Sequence, residues 1–276
     1  MILNAKSKEF MIWAAEKKSK IPTRINDLKI EIKDINHVES DEIIKIKALM
    51  KRYNCCIYNS NSELKSKAHL VNFAQSIGMV TYDINNIDND AVCSITRNKL
   101  NDKRGYIPYT DKALNWHTDG YYDQKPIFSW LLHCMIPAEE GGENRLLDHE
   151  LAIREYVLKH IDIDLLEIDN AFTIPGNDDA GRLDTESYVC SNKNKYKKLH
   201  MKFSMRKDNI KLDEKVEVAM LKMKDIIMDD CKKYYLTYKL SKNEGIISNN
   251  ILHGRNSYRD GENMREIFRI RSYERI

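Results

Sequence analysis

The feature that most constrains this chain is PIFSWLLHCMIP, a mostly apolar run at 126–137 with a proline at each end. The run is too short to cross a bilayer, which takes about 18 apolar residues or more. A short apolar run bounded by turn signals is typical of a strand buried in a protein core. The Gly141-Gly142 pair that follows it predicts a turn. The run therefore predicts a central strand of a sheet.

Similar runs from residue 91 onward predict a mainly β fold. A strand is typically four to eight residues long, rich in β-branched and aromatic residues, and often alternates polar with apolar positions. The predicted strands are AVCSITR (91–97), a segment near 171–174, HMKFSM (200–205), GIISNNILHGR (245–255) and REIFRIRSY (265–273), the last two joined by a polar turn at 259–263.

Apolar residues at helical spacing predict helices that flank these strands. The predicted helices cover 41–53, 63–77, 149–160 and 216–235, and NCCIYNS (54–60) is a short buried strand between the first two. Gly78 is a favoured residue for the end of the second helix, and Asp148 is a suitable N-cap for the third. The fold class expected from these patterns is α+β, with a mainly β core and flanking helices.

The chain is expected to form one domain over 1–276. Its 276 residues include only ten glycines and five prolines, and no low-complexity linker or repeat divides them. A part with helices and a strand, at about 1–90, should pack on a core at about 91–276.

Composition argues against several classes of partner. With 45 basic and 42 acidic residues, the net charge of +3 provides no strong field for nucleic acid or for a membrane surface. No apolar run is long enough for a transmembrane helix, and the N-terminal segment has no uninterrupted signal-peptide core. The six cysteines lack metal-site spacing and are expected to be reduced and buried. A cytoplasmic protein is therefore predicted.

The stretch LNWHTDGYYD (114–123) contains the first candidate for chemistry. His117 and Asp119 are two residues apart, so in an extended segment their side chains share a face. One imidazole and one carboxylate suit a divalent transition metal, and a second histidine would complete the 2-His-1-carboxylate triad of non-haem Fe(II) sites. The simpler alternative is a polar turn beside a buried Trp116.

Two histidines remain as the missing ligand after those in helices and in the apolar strand are set aside. His200 and His253 both lie in strand-like segments, and His253 is favoured because it precedes an arginine-rich strand. Arg265, Arg269 and Arg271 share one side of that strand, and guanidinium groups bind planar carboxylates. Because buried arginines are costly without an anion, a dicarboxylate cosubstrate that chelates the metal is expected.

Four motifs in this order resemble the taurine dioxygenase-like (TauD/TfdA) family of Fe(II)- and 2-oxoglutarate-dependent oxygenases. They are WHTDG (116–120), GGEN (141–144), LHGR (252–255) and the RxxxR of Arg265 and Arg269. The resemblance implies a double-stranded β-helix, a jelly roll of the clavaminate synthase-like type, with an insert at about 145–240. It also implies that the enzyme uses Fe(II), 2-oxoglutarate and O2, and forms a homodimer or homotetramer.

The resemblance assigns roles to particular residues. His117, Asp119 and His253 are implied to ligate iron, and Arg265 to hold the distal carboxylate of 2-oxoglutarate. Arg269 would lie near the metal end, where it contacts the cosubstrate or the substrate. Asn144 stands where the family usually has a threonine that helps to bind the cosubstrate, and its amide can also donate a hydrogen bond.

Two further positions narrow the expected reaction. Ala113 replaces an asparagine that contacts the sulfonate in taurine-type enzymes, so taurine is not expected as the substrate. Related halogenases lack the carboxylate ligand, and because Asp119 is present, hydroxylation is favoured over halogenation.

The expected function is hydroxylation of a small polar or anionic metabolite, with release of succinate and CO2. Tyr121, Tyr122, Arg206 and Arg269 are candidate substrate contacts, although both tyrosines could equally pack in the fold. One alternative is an oxygenase that modifies tRNA or protein docked on the Lys-rich stretch 192–207. A second alternative is a non-catalytic binding protein on the same fold.

Overall fold

The computed structural model describes residues 1–84, 91–97, 107–176, 183–206 and 210–276. The α-helices in these ranges are α1 Lys8–Ser19, α2 Ser40–Tyr53, α3 Lys67–Ile77, α4 His149–Lys159, α5 Asp164–Glu167 and α6 Glu214–Asp225. The longer strands are β1 Lys29–Ile32, β2 Cys55–Ser60, β3 Cys93–Thr96, β4 Leu114–His117, β5 Ser129–Ile136, β7 Asn144–Leu147, β13 Leu236–Tyr238, β14 Glu244–Ser248, β15 Leu252–Arg255 and β17 Glu266–Ser272. Shorter strands are β6 Glu140–Gly141, β8 Phe172–Ile174, β9 Thr185–Ser187, β10 Cys190–Ser191, β11 His200–Met201, β12 Lys211–Leu212 and β16 Tyr258–Arg259.

The helix ends follow the capping residues in the sequence. The Ser66 hydroxyl accepts a hydrogen bond from the His69 backbone N–H, so α3 begins at Lys67 rather than at the predicted residue 63. Gly78 ends this helix in the left-handed region, with φ of 111°, as predicted. Asp148 caps α4 by accepting from the Glu150 N–H. The predictions of α2, α3 and α4 are thus confirmed to within a few residues.

The predicted long helix at 216–235 is confirmed in its bounds, but as one regular helix it is wrong beyond residue 225. The chain continues as a π-helix at Ile226–Asp230 and a 3-10 helix at Lys232–Tyr234. The Cys231 N–H donates to the Ile226 carbonyl at 2.9 Å, a five-residue spacing that widens the turn. The Tyr235 hydroxyl also donates to the Ile227 carbonyl. These contacts depend on packing, and the apolar spacing does not encode them.

The prediction of a single strand at 245–255 is also wrong, because β14 ends at Ser248 and β15 begins at Leu252. Asn250 lies in the left-handed region, with φ of 52°, and its side chain donates to the Ile127 carbonyl at 2.7 Å. The neighbouring Asn249 side chain donates to the Ile276 carbonyl at 2.9 Å. Asparagine tolerates this conformation and bonds backbone groups readily, so the pair interrupts the strand.

The described residues form two compact units, and the first, called here the sheet unit, comprises 22–115, 127–146 and 236–276. Its six-stranded sheet has the order β1-β2-β14-β5-β17-β3, and a four-stranded sheet has the order β13-β7-β15-β4. The predicted central strand is β5, which pairs with β14 on one side and β17 on the other, antiparallel in both cases. The predicted α+β jelly-roll fold is confirmed.

The six-stranded sheet is covered on both faces. Leu131 and Ile270 of this sheet pack with residues of α2 and α3, such as Ile46 and Phe73. On the opposite face, Trp130, Cys134 and Ile267 pack with Leu146 of the four-stranded sheet. This position explains the apolar run of β5, since a strand covered on both faces lacks the polar alternation of a strand with one face in solvent.

The second unit, called the helical unit, comprises 1–21, 116–126 and 147–235. It contains α1, α4, α5 and α6 with the small sheets β12-β8-β9 and β10-β11. Lys17 of α1 lies 2.5 Å from Asp148 and 2.6 Å from Glu150, which ties α1 to the start of α4. The sequence patterns did not predict α1. The single-domain assignment and its insert at 145–240 stay predictions.

Two expectations from composition can be compared with the coordinates. All six cysteines are buried and free, as predicted. Among the helices that the structure describes, none has the length and apolar character needed to span a membrane.

Candidate metal centre

The first part of the site lies at the end of β4. His117 is the last residue of this strand, and Asp119 follows in a turn, with its carboxylate Oδ1 3.6 Å from His117 Nε2. Between them, Thr118 exchanges two hydrogen bonds of 3.0 Å with Phe203: its N–H donates to the Phe203 carbonyl, and its hydroxyl accepts from the Phe203 N–H. The turn, rather than strand alternation, therefore brings the imidazole and the carboxylate together.

His253 lies on β15, where the fold determines which ring nitrogen is protonated. Its Nδ1 is 3.0 Å from the Ile251 carbonyl, and its ring centroid is 4.6 Å from that of the buried Trp130. A carbonyl can only accept, so in the neutral ring Nδ1 holds the proton and Nε2 presents its lone pair. A backbone partner that fixes the tautomer and the ring orientation is usual for a metal-ligating histidine.

The three residues come together in space. His117, Asp119 and His253 each offer one ligand atom, and these atoms all lie within 4.8 Å of one another. In the described part of the chain, this is the one group of three or more such side chains that could hold a metal ion. Two imidazoles and one carboxylate, partly buried, fit Fe(II). The alternative candidate His200 instead has its Nδ1 2.9 Å from the Tyr188 hydroxyl.

Arg265 is a buried cation directly before β17. It is 5% exposed, and its guanidinium lies 5.1 Å from the centroid of the Tyr258 ring. Among the described residues, no carboxylate lies within ion-pair distance of its guanidinium, and burial lowers the pKa of this group. Its neighbour is the glycine turn, since a Cβ on Gly142 would lie 3.7 Å from Arg265 Nε. A buried guanidinium without an internal carboxylate suits an anionic ligand.

The other two arginines of β17 have different surroundings. Arg271 forms an ion pair with Asp83, and both side chains are buried. The sequence analysis expected a cosubstrate carboxylate as the anion for the arginines of this strand. For Arg271 this expectation is wrong, because Asp83 of the protein is its partner. Arg269 is half-buried and pairs with Leu132 of β5 in the sheet register, and its contact with cosubstrate or substrate stays a prediction.

Asn144, the predicted replacement for a cosubstrate-binding threonine, is the first residue of β7. It is buried, and its side-chain amide donates to the Tyr238 carbonyl at 3.4 Å. Tyr238 is also its partner in the β7–β13 register. The structure thus gives Asn144 a role within its sheet, and binding of the cosubstrate stays a prediction.

Three of the substrate candidates belong to the helical unit, where Tyr121 and Tyr122 are half-buried and Arg206 is exposed. Tyr121 and Tyr122 contact each other edge to face, with ring centroids 5.2 Å apart. Arg206 lines a small pocket of about 110 Å³ together with residues of α6 and β12, among them Glu217 and Leu212. Their contact with a substrate stays a prediction.

Two residues of the site region were missed by the sequence analysis, although one belongs to LHGR. Arg255 donates to the carbonyls of Thr110 and Lys112 at 2.8 and 2.6 Å, and so holds the segment that leads into β4. Tyr258 places its ring 4.8 Å from the Arg255 guanidinium as well as near Arg265. Burial, with the charge of Arg265, lowers the pKa of Arg255 to about 10. The sequence does contain a signal for this pair, because Tyr258 is an aromatic residue three positions after Arg255, the arginine of LHGR.

The Lys-rich stretch 192–207 is less uniform than its sequence indicates. Lys193, Lys195, Lys197 and Lys198 are exposed, whereas Lys202 is buried. Lys207 lies outside the described residues. Docking of a macromolecule on this stretch stays a prediction, with one lysine fewer to support it.

Comparisons with known proteins bear on the family and the fold of this chain. The family model described as taurine catabolism dioxygenase TauD, TfdA family matches residues 26–271. No curated protein sequence matches the chain.

Solved structures share the fold at low sequence identity. A taurine dioxygenase from Burkholderia xenovorans is 15% identical, covering 91% of this chain and 89% of its own, with a TM-score of 0.62. The protein AAD-2, in complex with Mn(II) and N-oxalylglycine, is 12% identical over 88% of this chain and 93% of its own, with a TM-score of 0.63. An asparagine oxygenase is 9% identical over 96% and 91% of the two chains, with a TM-score of 0.58.

Proposed function

Because this chain belongs to the taurine catabolism dioxygenase TauD, TfdA family, we propose that His117, Asp119 and His253 bind the Fe(II) on which its reaction depends. The protein is an oxidoreductase of the 2-oxoglutarate-dependent dioxygenase class that acts on small molecules, with Fe(II) as cofactor and 2-oxoglutarate and O2 as cosubstrates. The observation that supports this ligand set most directly is the convergence of the three side chains within 4.8 Å.

Arg265 is the proposed partner for the distal carboxylate of 2-oxoglutarate. The guanidinium is buried and lies against the Tyr258 ring, and no carboxylate of the described residues neutralises it by an ion pair. A bound carboxylate would offset the cost of burying this charge and would accept two parallel hydrogen bonds. The adjacent Gly142 leaves room at the Nε edge, where a side chain would narrow the approach.

The proposed reaction is hydroxylation of a small polar or anionic metabolite. One O2 and one 2-oxoglutarate are consumed: one oxygen atom enters the substrate C–H bond, the other enters succinate, and the carboxyl next to the keto group leaves as CO2. When bound, Fe(II) supplies the redox chemistry of this oxidative decarboxylation. The asparagine oxygenase of similar fold was solved with Fe(II), 2S,3S-3-hydroxyasparagine and succinate, and this product pair supports the same reaction type here.

The protein side chains prepare the site by charge and orientation. Asp119 is a buried carboxylate that offsets part of the charge of a divalent ion. The Ile251 carbonyl and the Trp130 ring hold the His253 imidazole in one orientation, with Nε2 as the proposed ligand atom. A set of only three protein ligands leaves positions for a chelating 2-oxo acid.

The ligand assignment can be tested by anaerobic titration with Fe(II) and 2-oxoglutarate. We expect a weak visible charge-transfer band in the wild type, and its loss in His117→Ala and His253→Ala. His37→Ala is the matched control, because His37 lies outside the cluster in the segment before α2, and it should retain the band. Absence of the band in the wild type, or its persistence in both ligand variants, contradicts the proposal.

The substrate class can be tested by measuring succinate release with a panel of metabolites. Amino acids and other small carboxylates should stimulate release above the level seen without substrate, and each positive compound should gain one oxygen by mass spectrometry. Stimulation by uncharged apolar compounds alone would contradict the proposed class.

A further inference from the structure

The segment 118–126 contains the proposed ligand Asp119 and the two tyrosines, so its order matters for the site. Inside the segment, Gly120 adopts a φ of 65°, and the Asp123 N–H donates to the Gly120 carbonyl at 3.0 Å. This single turn is local. Further contacts come from 202–205, where the Met205 N–H donates to the Trp116 carbonyl at 3.0 Å.

Lys202 binds the C-terminal part of the same segment. Its ammonium donates to the Asp123 carbonyl at 2.6 Å and, less closely, to the Gln124 carbonyl at 3.5 Å. Lys202 directly follows β11, and its backbone N–H donates to the Val189 carbonyl at 2.8 Å, which holds the backbone of the lysine in place. The lysine therefore connects this anchored backbone to the end of the loop.

The burial of Lys202 is costly. The residue is 2% exposed, and among the described residues no carboxylate lies within ion-pair distance of its ammonium. The nearest aromatic face, Tyr188, is 5.8 Å away. Burial lowers the pKa of Lys202 to about 8, while the charge of Asp123 opposes this decrease. A buried ammonium that is bonded to neutral carbonyls loses more solvation than it regains.

The loop carbonyls do not need the lysine in order to be solvated. Asp123 is half-buried and Gln124 is exposed, so water could replace the ammonium at this end of the loop. The lysine thus costs global stability, while its contacts add order at one place. A side chain that lowers global stability but orders one loop is expected where the position of that loop matters for a site.

We propose that Lys202 is a positioning residue that holds the segment 118–126 through the Asp123 and Gln124 carbonyls, and so keeps Asp119 and the Tyr121-Tyr122 pair in place. This inference rests on the proposed function only in naming Asp119 as a ligand. The hydrogen bonds from Lys202 to the loop do not depend on a bound metal, so they can be tested in the metal-free protein.

Hydrogen-exchange mass spectrometry of the metal-free protein tests the proposal. In Lys202→Met, amides of 118–126 should exchange about tenfold faster than in the wild type, because loss of a hydrogen bond from a charged donor shifts local opening by roughly that factor or more. Peptides of β5 should be unchanged. Lys202→Arg retains donors at this position and should restore most of the protection. Lys198→Met, at an exposed lysine of the same stretch, is the matched control and should exchange as the wild type does.

Thermal unfolding separates a positioning role from a structural one. Since Lys202→Met removes a buried charge, its melting temperature should equal or exceed that of the wild type even though the loop opens more often. Unchanged exchange at 118–126, uniformly faster exchange, or a variant that cannot be purified folded would each overturn the proposal. Failure of the iron assignment would instead appear as a missing Fe(II)–2-oxoglutarate band in the wild type, with the exchange result unaffected.

Discussion

At the scale of single residues, the buried cations of this protein differ in the partners that the fold gives them. Arg271 has Asp83 as its partner, and Lys202 has backbone carbonyls, but Arg265 has an aromatic ring and no ion pair with a described carboxylate. Of these two arginines of one strand region, Arg271 is therefore neutralised within the fold, and Arg265 is the one proposed to bind an anion.

Replacement of Arg265 by glutamine should weaken cosubstrate binding specifically. We expect the 2-oxoglutarate concentration at half-saturation of the anaerobic band to rise about 100-fold, since two charge-assisted hydrogen bonds are lost. Arg259→Gln is the control, because Arg259 is exposed and pairs with Glu139 and Glu140 at the surface, where such pairs contribute little. An unchanged requirement in Arg265→Gln would exclude this residue from the cosubstrate site.

His133, inside β5, should make the fold sensitive to acid. It is fully buried, with Nδ1 2.9 Å from the Tyr58 hydroxyl, and burial lowers its pKa to about 4. The unfolded chain binds a proton at about pH 6.5, whereas the folded chain does so only near pH 4. Folding stability should therefore fall as the pH decreases through this window, by up to about 3 kcal/mol.

Urea unfolding at pH 7 and at pH 4.5 measures this contribution. In His133→Asn, the side-chain amide can replace Nδ1 as the hydrogen-bond partner of the Tyr58 hydroxyl, because it can donate or accept, but it does not titrate. The decrease in unfolding free energy between the two pH values should be smaller in this variant than in the wild type. Equal decreases in both proteins would show that other groups cause the acid sensitivity.

At the scale of elements, close approach at Gly254 supports the strand that contains His253. A Cβ on Gly254 would lie 2.8 Å from both the Leu114 carbonyl oxygen and Arg145 Nη2. Arg145 itself donates to that carbonyl at 2.9 Å. The lack of a side chain at Gly254 is therefore what allows β15 to approach the beginning of β4 this closely.

Gly254→Ala should consequently disturb both stability and metal binding. Overpacking of this kind costs about 1–3 kcal/mol, so the melting temperature should fall and more Fe(II) should be needed to reach half of the anaerobic band. Gly261→Ala is the control, since an added Cβ there would make only ordinary contact with Glu139, at 3.4 Å. A Gly254→Ala protein with wild-type stability and iron affinity would contradict the steric argument.

At the scale of the whole molecule, the proposed ligands come from distant parts of the sequence, so metal binding should stabilise the fold. Binding to the native state alone stabilises by about 2.7 kcal/mol when the ligand is at 100 times its dissociation constant. Anaerobic addition of Mn(II) and 2-oxoglutarate should therefore raise the melting temperature by several degrees, and a chelator should reverse the shift. His117→Ala should show little shift; an equal shift in this variant would locate the stabilising metal elsewhere.

Local patterns predicted much of the fold. Gly78 at the end of α3, Asp148 at the start of α4 and the apolar run of β5 lie where expected, because capping and burial on both faces leave clear signals in short stretches. The break at Asn250 and the π-helix after residue 225 were not predicted, because both depend on partners far along the chain or on packing.

By itself, the sequence determined the α+β class and the family, and it predicted His117, Asp119 and His253 as the metal ligands, because each leaves a signal in a short motif or in a local period of apolar residues. Only the tertiary structure decided which buried charges have partners. Arg271 meets Asp83, Arg255 meets the carbonyls before β4, and Lys202 lies inside the fold instead of on a basic surface. The physical reason is that the free energy of a buried charge depends on atoms brought near it by distant segments.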